Sequence, residues 1–217
     1  GSVRIAEKVG IENYTEFLKT IGIISNLEFD IQEVGTTQLG RWGKCKLATV
    51  AFGHGIATTL LQLSKGYSII SNGGYEVTPT LLEKEKLQRQ RILNENLSET
   101  INPILRKIVS TKEGTAGFAN VKGYEIGGKT GTADQPSKGG YSKKKVNTFA
   151  SVFPTSDPKF VLAVMLDEPK ANREFVYHYR DDRYPYKGNW RNTAGWTTVW
   201  VTGQIMDKIG PILATKY

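Results

Sequence analysis

Three short apolar segments in the second half of the chain constrain its fold most. They read YEIGGKTGT (124–132), NTFASVF (147–153) and KFVLAVMLDE (159–168), and each has the composition of a strand. The proline-containing turn at 154–158 is all that separates the last two. Connections this short are typical of hairpins, so the sequence predicts an antiparallel meander.

Amphipathic helices are predicted on both sides of this meander along the chain. Apolar residues recur at helical spacing in the segments 3–9, 12–21, 60–71, 98–111 and about 193–209. The predicted caps are Asn13, Thr58 or Thr59, and Ser98. A further strand is predicted at 76–82, whereas 23–47 and 170–191 are predicted to be irregular. Helices flanking an antiparallel sheet place the chain in the α+β (mixed α/β) class.

The segment GYEIGGKTGTAD (123–134) satisfies two functional motifs at once. Gly123 to Thr130 fits the phosphate-binding pattern G-x-x-x-x-G-K-[ST]. Lys129, Thr130 and Gly131 form the triplet K-T-G of penicillin-binding enzymes. The first motif predicts a nucleotide hydrolase and the second an acyl-transfer enzyme.

The surroundings of this segment disfavour a P-loop. A P-loop needs a buried strand before its first glycine and a helix that starts at its Lys-Thr pair. The preceding residues, GTAGFANVK, are too small and polar for a central strand, and the following GTADQPSKGG cannot start a helix. The P-loop is therefore the weaker alternative.

The K-T-G interpretation suits one continuous strand. Side chains alternate along a strand, so Thr130 and Thr132 share a face, and Gly131 lets another backbone approach between them. A peptide can then lie along this strand as an added strand. The two hydroxyls can bind its terminal carboxylate, Lys129 adds positive charge, and the Thr132 N–H can donate to a developing oxyanion.

Composition narrows the remaining classes. The chain has a net charge of +8, and its clearest basic run, Lys143-Lys144-Lys145, is predicted to be a mobile loop. No nucleic-acid recognition motif accompanies this charge. The single cysteine, Cys45, excludes a disulfide within the chain and a cysteine-based zinc site. Acidic residues at 174–182 lie among arginines, so a charge-balanced surface is favoured there over a metal site. The sequence thus favours neither a metal site nor a nucleic-acid partner.

Longer segments around the triplet resemble the class B penicillin-binding proteins, the D,D-transpeptidases that cross-link peptidoglycan. The resemblance is carried by AFGHGIATTLLQLSKGYSIISNGG, KGYEIGGKTGTAD and NTFASVFPTSDPKFVLAVMLDEPK, in that order, and covers nearly all of residues 1–210. The ending TAGWTTVW favours a cell-division member. The resemblance implies the serine β-lactamase/transpeptidase fold, an antiparallel sheet with flanking helices.

The family uses three motifs, S-x-x-K, S-x-N and K-T-G, and only the third stands at its expected place here. The S-x-x-K matches at Ser142 and Ser156 both follow the triplet, which is the wrong order. Residues 1–217 are therefore expected to form the C-terminal portion of a transpeptidase domain, incomplete at its N-terminus. The isolated chain is expected to be inactive.

The resemblance also implies roles for the site and implies no metal or organic cofactor. Lys129 and Thr132 would be catalytic, while Thr130, Gly131 and Thr132 would bind substrate. Expected ligands are peptidoglycan stem peptides and β-lactams, with divisome or elongation proteins as partners of the parent. The parent would lie on the periplasmic face of the inner membrane, anchored by an N-terminal segment. A non-catalytic assembly module on the same scaffold remains the main alternative, and the aromatic loop 170–191 departs from the family pattern without a defined role.

Overall fold

The computed structural model describes residues 1–31, 34, 35, 37, 39–83, 89–138, 140–178, 186–189 (backbone only) and 191–216. They divide into two compact units, Gly1–Ser98 and Glu99–Tyr217. The described helices of the first unit are α1 (Ser2–Val9), α2 (Ile11–Thr20), α3 (Lys44–Val50) and α4 (Leu60–Ser71), and α5 (Asn96–Ser110) begins at its end. No helix among the described residues has the length and apolar character needed to cross a bilayer.

The predicted helices of the first unit are confirmed, but several of their boundaries differ. Thr59 caps α4 in a reciprocal capping box with Gln62. Asn13 is not a cap, since α2 begins at Ile11 and the Asn13 amide instead donates to Val9 O. Ser98 lies inside α5, where its hydroxyl donates to Ile70 O and accepts from the Gly73 N–H.

Two predictions for the first unit are wrong. Residues 44–47, expected to be irregular, belong to α3, which buries Leu47 and Val50. Residues 76–82, expected to be a strand, form no named strand in the described structure; the only pairing there is an isolated bridge between Tyr75 and Arg91. Strand propensity was a weak signal for this segment, because it depends on pairing and packing against neighbours.

The second unit contains the predicted meander. Its strands are β1 (Gly127–Ser137), β2 (Gly140–Phe153) and β3 (Phe160–Asp167), in the antiparallel order β1-β2-β3. In register, Thr130 faces Phe149 and Thr132 faces Asn147 across the β1–β2 pair. Among the described strands β1 is therefore an edge strand, and the antiparallel α+β architecture is as predicted.

The β1–β2 hairpin is longer than predicted. Lys143, Lys144 and Lys145 belong to β2, so this basic run is not a loop. Lys145 pairs with its cross-strand neighbour Asp134 at 2.5 Å, and Lys144 pairs with Glu168 at 2.6 Å. These carboxylates balance much of the positive charge, because opposite charges across strands offset one another.

The second unit also contains a C-terminal helix and two short 3-10 turns. The turns span Gly117–Ala119 and Ala194–Trp196, and α6 spans Thr198–Lys216, so the final helix starts later than predicted. The apolar core combines β2, the first turn and α6, and its fully or nearly fully buried residues include Phe118, Ile126, Phe149, Val199 and Met206.

The segment 170–191, predicted to be a long loop, contains a small hairpin. Strands β4 (Asn172–Tyr177) and β5 (Tyr186–Asn189) pair antiparallel. Tyr177 lies 5.3 Å from the rings of both Phe118 and Trp196, so β4 is anchored on the aromatic core. The prediction failed because period-2 alternation is hidden where aromatic and charged residues follow one another. Asp181 and Asp182 lie outside the described residues.

Candidate functional site

The K-T-G triplet lies in the middle of β1, and this position decides between its two motif readings. Strand β1 continues past Lys129 and Thr130 to Ser137, so no helix begins at the Lys-Thr pair. The residues before the segment form a 3-10 turn at Gly117–Ala119 and not a buried strand. Gly123 has φ +92°, a left-handed backbone conformation that favours glycine, so the turn itself accounts for a glycine at this position. The P-loop alternative lacks both elements that hold phosphate.

The start of β1 is packed tightly on both of its faces. A Cβ on Gly128 would lie 2.6 Å from Ala150 O and from the Phe149 ring. A Cβ on Gly127 would lie 2.5 Å from Thr155 Cγ2 and 2.8 Å from Arg106 N. Both glycines are therefore required by the fold itself.

The triplet's own glycine is not packed in this way. A Cβ on Gly131 would meet nothing closer than Thr148 O at 3.9 Å, and Gly131 is exposed. Its φ is not positive, so the backbone does not demand glycine either. Within the described structure, the missing side chain at Gly131 leaves space open to a ligand.

Thr130 and Thr132 lie on one face of β1, as predicted. They share this face with Gly128, on the side of the Phe149 core, because side chains alternate along the strand. Thr130 Oγ1 lies 3.0 Å from Thr115 Oγ1. Thr132 Oγ1 accepts a hydrogen bond of 3.0 Å from the backbone N–H of Ala194. Both hydroxyls therefore have a defined partner inside the second unit.

Lys129 lies on the opposite face of β1 and is exposed. Its Nζ donates to Thr130 O at 2.7 Å, so the ammonium group stays beside the strand. The triplet and Thr132 thus offer a cation on one face of β1, two hydroxyls on the other, and an exposed strand edge. Hydroxyl groups that donate to a carboxylate form charge-assisted hydrogen bonds, and a cation close to the strand adds favourable charge.

Sequence reasoning missed the residues behind the two threonines. Thr115 and Ala194 contact the Thr130 and Thr132 hydroxyls but lie far from them in sequence. Asn147 is fully buried and donates to Asn192 O at 2.7 Å and to Thr197 Oγ1 at 2.8 Å. Asparagine is depleted in strands, so an asparagine opening the apolar run NTFASVF was a usable signal.

The part of the chain that the structure describes contains no candidate metal cluster. Among the described residues, no group of three or more histidine, cysteine, aspartate or glutamate side chains is arranged to hold a metal ion. His178 and Glu174 are described, but the neighbouring aspartates are not, so the alternative metal site at 174–182 is only partly covered.

Comparison with known families identifies this arrangement. The family model described as "Penicillin binding protein transpeptidase domain" matches residues 1–182. The probable peptidoglycan D,D-transpeptidase FtsI of Caulobacter vibrioides is 28% identical, over 100% of this chain and 36% of the relative. Stage V sporulation protein D of Bacillus subtilis is 31% identical, over 81% of this chain and 29% of the relative. The chain thus spans about a third of the length of these curated relatives.

Solved structures show the same fold. The transpeptidase domain of Burkholderia pseudomallei penicillin-binding protein 3 gives a TM-score of 0.79 at 23% identity, covering 98% of this chain and 61% of that one. Penicillin-binding protein 3 of Mycobacterium tuberculosis, solved in complex with ampicillin, gives 0.76 at 24% identity, covering 96% and 48%. The match of the family model over most of the sequence, together with this fold, shows that the chain belongs to the penicillin-binding protein transpeptidase domain family.

Proposed function

We propose that this chain is the C-terminal portion of a serine-type peptidoglycan D,D-transpeptidase and supplies its K-T-G strand. The nucleophilic serine and the S-x-N motif would come from a preceding part of a longer protein. The named relatives support this proposal, since they include a probable peptidoglycan D,D-transpeptidase of which this chain spans 36%.

The proposed reaction has two acyl-transfer steps. The serine oxygen attacks the penultimate D-Ala carbonyl of a stem peptide, the C–N bond to the terminal D-Ala breaks, and an acyl ester forms. An amine of a neighbouring stem then attacks this ester, forming the cross-link and releasing the serine. β-Lactams imitate the donor peptide and leave the serine acylated.

In this reaction the residues of β1 would bind and polarise the donor. The Thr130 and Thr132 hydroxyls would hold its terminal carboxylate, and Lys129 would contribute charge and belong to the proton-transfer network. The Thr132 N–H would donate to the oxyanion that forms on the attacked carbonyl. Gly131 would let the donor backbone approach as an added strand.

One observation carries the proposal: Gly131 is a glycine that neither packing nor backbone geometry requires. Its hypothetical Cβ has no neighbour closer than 3.9 Å, although it lies between two threonines whose hydroxyls are held from behind. An exposed strand of this kind is suited to pair with an extended peptide.

Location and partners follow from the same proposal. Peptidoglycan lies outside the cytoplasmic membrane, so the protein would act on the periplasmic face of the inner membrane, held by an N-terminal anchor in the longer protein. Division or elongation proteins would be its partners, with the cell-division type favoured. Stem peptides and β-lactams would be its ligands.

A labelling experiment on the full-length protein tests the function. Fluorescent penicillin should give a covalent band on a denaturing gel, and excess unlabelled benzylpenicillin should remove it. Lys129→Ala should greatly weaken the band. A properly folded full-length protein that takes no label would contradict the proposal and favour a non-catalytic assembly role.

A further inference from the structure

The hydroxyls of Thr130, in the triplet, and Thr132, the residue after it, are held by groups outside this segment of β1. Thr115 Oγ1 contacts Thr130 Oγ1, and the Ala194 N–H contacts Thr132 Oγ1, each at 3.0 Å. Neither the Thr130 nor the Thr132 hydroxyl makes another hydrogen bond to a described residue. Among the described residues, each hydroxyl therefore has one partner, on the inner side of β1.

The identity of these partners decides where the hydroxyl protons can go. A threonine hydroxyl carries one proton and two lone pairs, whereas a backbone N–H only donates. Thr132 must therefore accept from Ala194, which leaves its own proton for another acceptor. When Thr115 donates to Thr130, the Thr130 proton is left in the same way. An ionised carboxylate, which only accepts, is the matching ligand.

Close backbone contacts fix Thr115. The adjacent Ala116 is fully buried, and its N–H donates to Ile108 O at 3.1 Å. A Cβ on Gly114 would lie 2.1 Å from Ile108 O, and one on Gly195 would lie 2.7 Å from Thr115 O. Glycine at both positions lets the chain bring Thr115 against β1 and the Ala194 turn.

The side chain of Asn147 holds the turn that contains Ala194. It is the cross-strand partner of Thr132, and its Nδ2 donates to Asn192 O and to Thr197 Oγ1. Thr197 Oγ1 donates onward to Thr193 O at 3.1 Å. These bonds hold the chain on both sides of Ala194.

A contribution to stability does not explain why an asparagine occupies position 147. Its Oδ1 is buried and has no hydrogen-bond partner among the described residues. A buried polar atom left unpaired is unfavourable, and an apolar side chain of similar size would avoid this cost. The role of Asn147 therefore lies in the two hydrogen bonds that its Nδ2 group donates.

We propose that Thr115 and Asn147 are positioning residues, which aim the Thr130 and Thr132 hydroxyl protons at the carboxylate of a donor peptide or β-lactam. Thr115 acts directly on Thr130, and Asn147 acts on Thr132 through the Ala194 N–H. The inference rests on the proposed transpeptidase function and adds two residues outside the motif to it.

The test compares two ligands that differ only at the carboxylate. Second-order acylation rates of the full-length protein are measured with benzylpenicillin and with its methyl ester. Thr115→Val should slow acylation by benzylpenicillin by about tenfold, the scale of one lost hydrogen bond, and acylation by the ester by less than about twofold. Thr115→Ser keeps the hydroxyl and should restore the rate. Asn147→Leu should reduce the benzylpenicillin rate in the same selective way.

The outcomes separate this inference from the function on which it rests. Equal slowing with both ligands would indicate a general structural role and overturn it, as would an unchanged benzylpenicillin rate in Thr115→Val. A wild-type protein that benzylpenicillin does not acylate would overturn the proposed function, and this inference with it. Thr115 is exposed, so its variants remain informative if the buried Asn147→Leu substitution prevents folding.

Discussion

Gly128 and Gly131 lie three residues apart on the same strand, yet the space around them differs: Gly128 is tightly packed and Gly131 is open. A side chain on Gly128 would collide with Ala150 O and Phe149 at 2.6 Å, whereas one on Gly131 would have no neighbour closer than 3.9 Å. The first glycine belongs to the buried start of β1 and the second to its exposed middle. The same residue type therefore serves packing in one place and leaves space for a ligand in the other.

This contrast extends to the side chains on either side of the two glycines. The buried start of β1 lies in close contact with Phe149 and Ala150 at Gly128 and with Thr155 and Arg106 at Gly127. The exposed part is held by hydrogen bonds at Thr130 and Thr132 and by ion pairs further along the hairpin. Substitutions in the first part should change stability, and substitutions in the second should change function.

The largest effect is expected from Gly131→Val in the full-length protein. A branched side chain would occupy the place of the donor backbone, and such a displacement of the reacting groups typically costs about a hundredfold in rate. Stability should change by less than about 0.5 kcal/mol, since the site is open and valine suits a strand. Acylation kinetics and urea unfolding measure the two effects. A wild-type acylation rate in this variant would remove Gly131 from the site.

Thr132→Val is expected to have the next largest effect. It keeps the shape of the side chain but removes a hydroxyl that would bond to a charged carboxylate, which costs roughly 1.5–3 kcal/mol. Acylation by β-lactam should slow by about ten- to a hundredfold. Thr215→Val, near the end of α6, is the matched control, because it removes an exposed threonine hydroxyl that bonds only locally to Ile212 O. If both variants react alike, the Thr132 hydroxyl is not part of the site.

Gly128→Ala tests the packed side of the comparison. The added methyl group would press on Ala150 O, which is backbone and cannot move aside, so overpacking should cost about 1–3 kcal/mol of unfolding free energy. Gly131→Ala should cost less than about 0.5 kcal/mol in the same urea titration. Equal losses at the two positions would remove the distinction between them.

The sequence predicted the part of the site that depends on local pattern. The strand, the shared face of Thr130 and Thr132, and the choice of K-T-G over the P-loop all follow from alternation and from neighbouring residues. The long-range partners could not be predicted, because Thr115 and Ala194 reach the two threonines only after the chain has folded.

Some predicted boundaries of strands and loops were wrong for a related reason. The run KKK was predicted to be a loop from its charge and flanking glycines, but β2 includes it, where Asp134 and Glu168 supply the opposing charges. Local composition does not show which carboxylates will face a lysine. Tertiary partners likewise turned part of the predicted loop 170–191 into the hairpin of β4 and β5.

Gly123→Ala should have a smaller effect that is confined to stability. The residue has φ +92° and no atom near its hypothetical Cβ, so an alanine would suffer backbone strain of about 1 kcal/mol without a collision. Acylation of the full-length protein should stay close to wild type. Titration with ATP and magnesium should show no saturable binding at about millimolar concentration, the weak end of specific affinities. Binding of ATP that Gly123→Val abolishes would restore the P-loop.

The smallest effect is expected at the exposed ion pair between Lys144 and Glu168. The hydrogen bond from Lys144 lowers the pKa of Glu168, so the pair adds stability above the usual glutamate range and loses it as the pH falls through the lowered pKa. Both groups are solvated and ion pairs of this kind contribute little, so Glu168→Gln should leave the unfolding midpoint at neutral pH nearly unchanged. The clearest effect of Glu168→Gln should be a smaller decrease of the unfolding midpoint as the pH is lowered. A large loss at neutral pH, beyond that of Gly128→Ala, would show that the ion pairs and not the buried start of β1 hold the hairpin together.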